Sequence, residues 1–136
     1  MKFNLLILFL FPFVLFADKV VVKEGSVIMG KVLGFVDGNL TIQTDFAGKL
    51  KIPASQISSI SSDAAISLRL DDNRTFNQIV TPAPGGKVGL QGDDQSFDLT
   101  EIRHLWSEDS EDPLELIEKK KQKALLMKWS HALGFD

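Results

Sequence analysis

The stretch that sets the fold class reads Asn39-Leu40-Thr41-Ile42-Gln43-Thr44, with apolar and polar side chains in strict alternation. The same alternation recurs in Gly48-Lys49-Leu50-Lys51-Ile52 and in Ile66-Ser67-Leu68-Arg69-Leu70. A period of two residues places the apolar side chains on one face of a β-strand. Short segments rich in Gly, Asn and Asp separate these runs, as in small β-barrels and sandwiches. The pattern predicts a mainly β domain over residues 18–107.

The predicted strands occur in two similar series. A unit of about 45 residues is close to the lower size limit for an independent core. We therefore expect two tandem units, about residues 19–61 and 64–107, that pack together or exchange a strand. The order of strands in each unit is similar to that of the five-stranded Sm-like and SH3-like small β-barrels. The matching segments are 20–25 with 68–73, 38–42 with 86–90, and 54–60 with 99–105.

The composition excludes several classes of protein. The chain has 136 residues, no cysteine and a formal net charge of −3. Without cysteine there is no disulfide framework, thiolate zinc site or cysteine nucleophile. An excess of acidic over basic residues also argues against nucleic acid as a partner.

The segment 1–17 has the layout of a secretory signal peptide. Lys2 precedes an apolar run from Leu5 to Phe16, which is too short to cross a bilayer as a helix. Ala17 then precedes Asp18, where we expect cleavage. The alternatives are an uncleaved membrane anchor or a buried helix. The expected location is the periplasm or outer membrane of a Gram-negative-type bacterium.

From Glu108 onwards the composition differs from that of the β region. An acidic linker leads to Asp112 and Pro113, a typical cap and first residue of a helix, which we expect to end near Lys128. Its lysine run indicates either contact with anionic lipid head groups or a partner, or simply a solvated face.

Residues 129–136 alternate again, and we expect a terminal strand there. Trp129, Leu133 and Phe135 would share one face, as in a membrane-barrel strand at the lipid interface. The alternative is an edge strand or a tail of the β domain. The full expected fold is thus two tandem Sm/SH3-like units, a C-terminal α-helix over 108–128 with its linker, and an isolated strand that would begin a missing outer-membrane barrel.

Several motifs resemble those of a known family. The family pattern V-x-L-x-x-G-x-x-x-x-G-x-V is similar to residues 20–32, and a second pattern, G-x-L-x-x-x-T-x-x-A-G-x-x-x-I, is similar to residues 38–52. Ile57 and Ile60 match its I-x-x-I close, and Trp129 to Asp136 is similar to the opening of its barrel. The chain therefore resembles the N-terminal periplasmic region of the bacterial outer-membrane β-barrel proteins of unknown function described as salt-induced. The resemblance implies no catalytic residue. Since the barrel itself is missing, we expect either a truncated member or a free-standing periplasmic module.

The residue pattern does not predict a catalytic site or a metal site. His104 and His131 are far apart in the chain and lack neighbouring ligands, so we expect no metal and no cofactor. No G-x-S-x-G nucleophile motif is present. We expect His104 on the surface near the closing turn. Trp106 is expected either as a buried plug of the second unit or as an exposed anchor for a partner.

The sequence thus favours a non-enzymatic module of the cell envelope. It would be the periplasmic interaction region of an outer-membrane barrel family, with an unknown envelope component as partner and outer-membrane contact through the C-terminal strand. The alternative is a free-standing periplasmic adaptor that self-associates through Sm-like edge strands. A nucleic-acid binder or small hydrolase is opposed by the charge and by the lack of a catalytic constellation.

Overall fold

A computed structural model describes residues 17–134 of the chain. They form ten strands and one α-helix, so the predicted mainly β fold with a C-terminal helix is confirmed. Two 3₁₀ turns, Ala54–Gln56 and Leu99–Glu101, precede the fifth and tenth strands. The elements are β1 Asp18–Val22, β2 Val27–Val36, β3 Asn39–Thr44, β4 Gly48–Pro53, β5 Ile57–Ser61, β6 Ala65–Leu70, β7 Thr75–Ala83, β8 Lys87–Leu90, β9 Ser96–Phe97, β10 Ile102–Ser107 and α1 Pro113–Ala132.

The first five strands and the last five pair in the same antiparallel order. β1 pairs with both β2 and β5, and β2 continues through β3 to β4. β6 likewise pairs with β7 and β10, and β7 continues through β8 to β9. The registers also correspond. The opposed pairs are Lys19–Met29 with Ser67–Asn77, Val32–Ile42 with Val80–Leu90, and Val20–Ile60 with Leu68–Leu105.

One antiparallel seam joins the two series of strands. The end of β2 pairs with β10, so that Phe35 lies opposite Leu105 and Gly34 opposite Trp106. The backbones approach closely there, since a Cβ on Gly34 would lie 3.2 Å from the Leu105 carbonyl oxygen. Both series therefore belong to one continuous sheet.

A second contact between the series lies where β5 meets β7. The Ser62 N–H donates to the Val80 carbonyl at 2.9 Å, and the Val80 N–H donates to the Ser62 hydroxyl at 2.9 Å. Pro82 follows on β7 and has no N–H to donate, which opposes a regular ladder at this point. In the first series, the N–H of Val32 likewise donates to a side-chain oxygen, that of the Asp18 carboxylate, at 2.7 Å.

The core consists of the apolar side chains that the alternation predicts. Leu40 and Ile42 on β3 are fully buried, as are Leu68 on β6 and Leu105 on β10. Both series contribute to this single buried cluster. The remaining members include Val20, Val32, Phe35, Ile52, Ile57, Ile60, Ile66, Leu70, Val80, Val88, Leu90, Phe97 and Ile102.

The predicted terminal strand is wrong in the residues that the structure describes. α1 continues through Trp129 to Ala132, and Leu133 caps it. Residues 119–129 consist almost entirely of Lys, Leu, Ala, Gln and Met, which favour helix and carry it past Lys128. A short alternation does not override that local preference. Phe135 and Asp136 lie outside the described residues, as does the signal-like segment 1–16.

Gly30 on β2 has no room for a side chain. A Cβ there would overlap the Gln43 carbonyl oxygen and lie 3.2 Å from Ile42 Cγ1. Because the obstacle is backbone, we expect Gly30→Ala to lower the free energy of unfolding by about 2–3 kcal/mol. Urea titration followed by circular dichroism measures the change. Met29→Ala on the same strand is the control, since the Met29 side chain is 55% exposed, and an equal loss in both variants would contradict the steric argument.

Candidate functional site

A groove runs between the sheet and the first two turns of α1. Its volume is about 460 Å³. Residues of β2, β3 and β10, Trp106 among them, line the side formed by the sheet. The helix contributes the other wall. The lining includes Leu33, Thr41, Lys51, Trp106, Leu116 and Ile117.

The helix wall begins at a well-defined cap. The Asp112 side chain accepts the Leu114 N–H at 2.9 Å, and Pro113 occupies the first helical position. Glu115 in the first turn faces the positive end of the helix dipole. Pro113 is buried, which fixes the helix start against the sheet. The predicted cap at Asp112 is therefore confirmed.

Asp112 also joins the helix to β6 through Arg69. The guanidinium donates two parallel hydrogen bonds to the carboxylate, at 2.8 and 2.6 Å. The two side chains are only 11% and 21% exposed. The bond from Arg69 holds the pKa of Asp112 below its ordinary value, and the same bond raises the pKa of Arg69. This bidentate pair holds the helix wall of the groove in place.

Trp106 is half-buried, with Arg69 over its ring at 4.8 Å from the centroid. The indole also lines the groove. It is therefore neither a fully buried plug nor a freely exposed anchor. One side of the residue stabilises the Arg69–Asp112 pair through a cation–π contact, and the rest is available to an occupant of the groove.

His104 is buried, so its expected surface position is wrong. Its Nδ1 atom lies 3.4 Å from Arg69 Nη1. The register shift between Ile102 and His104 on β10 accompanies this inward placement, which the simple alternation does not predict. Burial lowers the pKa of His104, and the positive charges of Arg69 and Arg103 lower it further.

The lowered pKa of His104 predicts a loss of stability on mild acidification. Asp112 and Asp37 oppose the lowering but do not reverse it. The unfolded chain takes up a proton near the ordinary value of 6.5, whereas the folded chain takes it up at lower pH. The stability of the fold therefore decreases as the pH falls from about 6.5 through the folded pKa. Melting temperatures measured from pH 7 to pH 5 test this.

The variant His104→Gln is the control for that titration. It removes the titrating group, so we expect a flatter dependence on pH over the same range. The Asp112 carboxylate titrates below its ordinary value of 3.8 and so acts in a separate, more acidic range. An unchanged slope in His104→Gln would assign the pH effect to another group.

The remaining candidate residues lie far from the groove. Trp129 and Leu133 sit at the end of α1 and are 62% and 64% exposed. The helix from Pro113 to Trp129 spans about 24 Å along its axis. The structure thus places Trp106 and Trp129 on different surfaces.

Within residues 17–134, no three His, Asp or Glu side chains cluster closely enough to hold a metal ion. No helix of that same region is long and apolar enough to cross a bilayer. In comparisons with known proteins, no family model, no curated protein and no solved structure matches the chain.

The groove can accept an extended apolar segment of a partner. Leu33, Leu116 and Ile117 offer apolar surface beside the Trp106 ring. Charges of both signs lie in the lining, on Lys51 and on a glutamate of the acidic linker. Grooves of this kind orient a ligand through few polar groups and bind it through apolar contact. The local sequence gives no signal for the groove, since the residues that fix its helix wall are distant in the chain.

Proposed function

We propose that the chain is an exported, non-enzymatic interaction module of the cell envelope, built from two tandem Sm/SH3-like units. Its working surface is the groove beside Trp106, which binds a segment of an envelope partner. The matching strand order and registers of the two series support the tandem arrangement. The resemblance to the periplasmic region of the outer-membrane barrel proteins supports the location.

The observation that carries the binding role is the partly open Trp106 in a groove with a fixed wall. Tryptophan is enriched at the centres of protein interfaces, because it buries a large area with little loss of side-chain entropy. The Arg69–Asp112 pair keeps the helix wall in position before a partner arrives. Such preorganisation lowers the entropic cost of binding.

Photo-cross-linking in intact cells tests this proposal. A benzophenone amino acid replaces Leu116, which lines the groove and is 39% exposed. The same reagent replaces Asn77, which is exposed on β7, as the matched control. We expect a discrete adduct from position 116 and none of the same mass from position 77.

Two further variants keep the test decisive. Trp106→Ala should abolish the adduct if the indole contributes the central contact, and circular dichroism checks that the variant folds. Lys51→Glu reverses a charge at the groove without touching the core, and should weaken the adduct. Equal adducts at positions 116 and 77, or none at 116, would refute the groove as the working surface.

A second candidate is the adaptor that self-associates through edge strands. Among the described strands β4 pairs only with β3, so its other edge is open. Lys49 and Lys51 on that strand oppose edge-to-edge pairing, as charged residues on edge strands commonly do. Light scattering coupled to size exclusion separates the two candidates, since the adaptor requires a discrete oligomer.

A further inference from the structure

The second half of α1 carries an exposed apolar face. Leu125, Leu126, Trp129 and Leu133 are each more than half exposed. Leu126, Trp129 and Leu133 follow Leu125 by one, four and eight positions, which places all four on one side of the helix, with Ala132 at the edge of this face. Because a water-facing stripe of this kind is unfavourable, it indicates a partner surface.

Lysines occupy the rest of the circumference of the same segment and border the apolar face on both sides. Residues 119–134 contain five lysines and no acidic residue. Since the whole chain carries −3, the remainder of the chain carries −8. Lys119 pairs with Glu111 at 3.1 Å, but that contact is exposed. The five are Lys119, Lys120, Lys121, Lys123 and Lys128.

The apolar face points away from the β body. Lys120 lines the groove and so marks the side of α1 that faces the sheet. Trp129 follows two and a half helical turns later, which places it on the opposite side. A flat surface can therefore contact Leu125, Trp129 and Leu133 without collision with the sheet.

The positive charge of residues 119–134 indicates which kind of partner surface their apolar face contacts. A second copy would bring two segments of charge +5 together, which opposes pairing through this face. A helix whose face of Leu and Trp is bordered by Lys is typical of segments that lie in the interface of a bilayer. Trp prefers the head-group level, and flanking lysines reach the anionic head groups.

We propose that residues 119–134 dock in the plane of an anionic phospholipid bilayer, with Leu125, Trp129 and Leu133 inserted and the flanking lysines, Lys119, Lys121 and Lys128, on the head groups. The acidic remainder of the chain is repelled by such a surface, so the β body and its groove stay on the aqueous side. The inserted face lies on the side of α1 opposite Lys120, the one residue of this segment that lines the groove, and its role does not depend on the proposed function.

The two tryptophans of the chain provide the experiment. In the full chain carrying Trp106→Phe, Trp129 is the sole tryptophan. We expect its emission to shift to the blue on vesicles that contain phosphatidylglycerol, and to be quenched by brominated lipid. The converse variant, Trp129→Phe, leaves Trp106 as the reporter, and its emission should not change. The apolar segment 1–16 contains no tryptophan, so the emission comes from the described part of the chain.

Replacement of lysines tests the electrostatic part. A single change to Gln at Lys121, Lys123 or Lys128 should weaken vesicle partitioning about fivefold. The three changes together should weaken it about 100-fold. The control changes Lys19, Lys23 and Lys49 to Gln, which removes the same charge from exposed positions on the β body. That control should bind as the parent does.

Four outcomes would overturn the proposal. The first is a Trp129 emission that does not shift on vesicles, and the second is an equal shift on pure phosphatidylcholine. The third is an equal loss of vesicle partitioning in the Lys19/Lys23/Lys49 control. The fourth is a protein that is dimeric and whose Trp129 emission is already blue-shifted without vesicles. The last would assign the face to a second copy. Loss of the shift at high salt would support docking through charge.

Discussion

Phe35→Ala is expected to lower the free energy of unfolding by about 3–5 kcal/mol, since the ring is 2% exposed and its removal leaves a cavity in the shared core. Phe35 lies opposite Leu105 across the β2–β10 seam. The loss should therefore destabilise both series of strands together. In a Trp129→Phe background Trp106, the next residue on β10, is the sole tryptophan and reports loss of the β2–β10 seam by fluorescence, and circular dichroism reports the whole sheet.

The two signals should change at the same urea concentration in the parent and in Phe35→Ala. Phe46→Ala is the matched control, because it removes the same ring from a side chain that is fully exposed in the β3–β4 turn. We expect a change within about 0.5 kcal/mol for that control. Separate transitions in the parent would mean that the two series form independent cores.

The second large effect concerns the Arg69–Asp112 pair. Arg69→Met should lower the free energy of unfolding by about 3 kcal/mol, because it leaves a largely buried carboxylate without its partner. Asp112→Asn keeps a residue that can cap the helix but removes the charge, and should cost about 1–2 kcal/mol. The double variant should cost clearly less than the sum of the two single ones, with a coupling of about 1–3 kcal/mol.

An exposed pair is the control for this cycle. Arg74 and Asp72 are joined at 2.7 Å, but both side chains are more than half exposed. The same substitutions there should produce no measurable coupling, since solvent screens the charges. Additive effects at Arg69 and Asp112 would mean that the pair does not hold the helix wall.

The sequence predicts the β region because each strand is a local pattern. Leu40 and Ile42 alternate with polar residues, and both are buried. The turn positions also follow from local chemistry: Gly38 and Gly86 adopt positive φ where hairpins require it.

The correspondence between the two series is visible in the sequence as well. Lys19 and Val32 of the first series occupy the same pairing positions as Ser67 and Val80 of the second. The number of residues from Lys19 to Ser67 equals the number from Val32 to Val80, because no insertion separates these strands. A constant offset of this kind can be found in the sequence before any strand pairing is known.

The groove could not be predicted, because it depends on contacts between distant residues. Arg69 lies in an alternating strand and Asp112 at a helix cap, and each is fully explained by its own local role. The burial of His104 follows from a bulge, which the alternation of β10 conceals. The prediction for Trp129 was wrong for the opposite reason: a short local alternation suggested a strand, while the long helix before it decided its conformation.

Export is the central claim, and the N-terminal sequence of the protein recovered from cells tests it most directly. β1 begins at Asp18, so removal of the segment 1–17 would leave every described strand intact. When the full gene is expressed in a Gram-negative host, we expect the mature protein in the envelope fraction, with Asp18 as its first residue by mass spectrometry. Recovery from the cytosol with Met1 to Ala17 still attached would contradict the account.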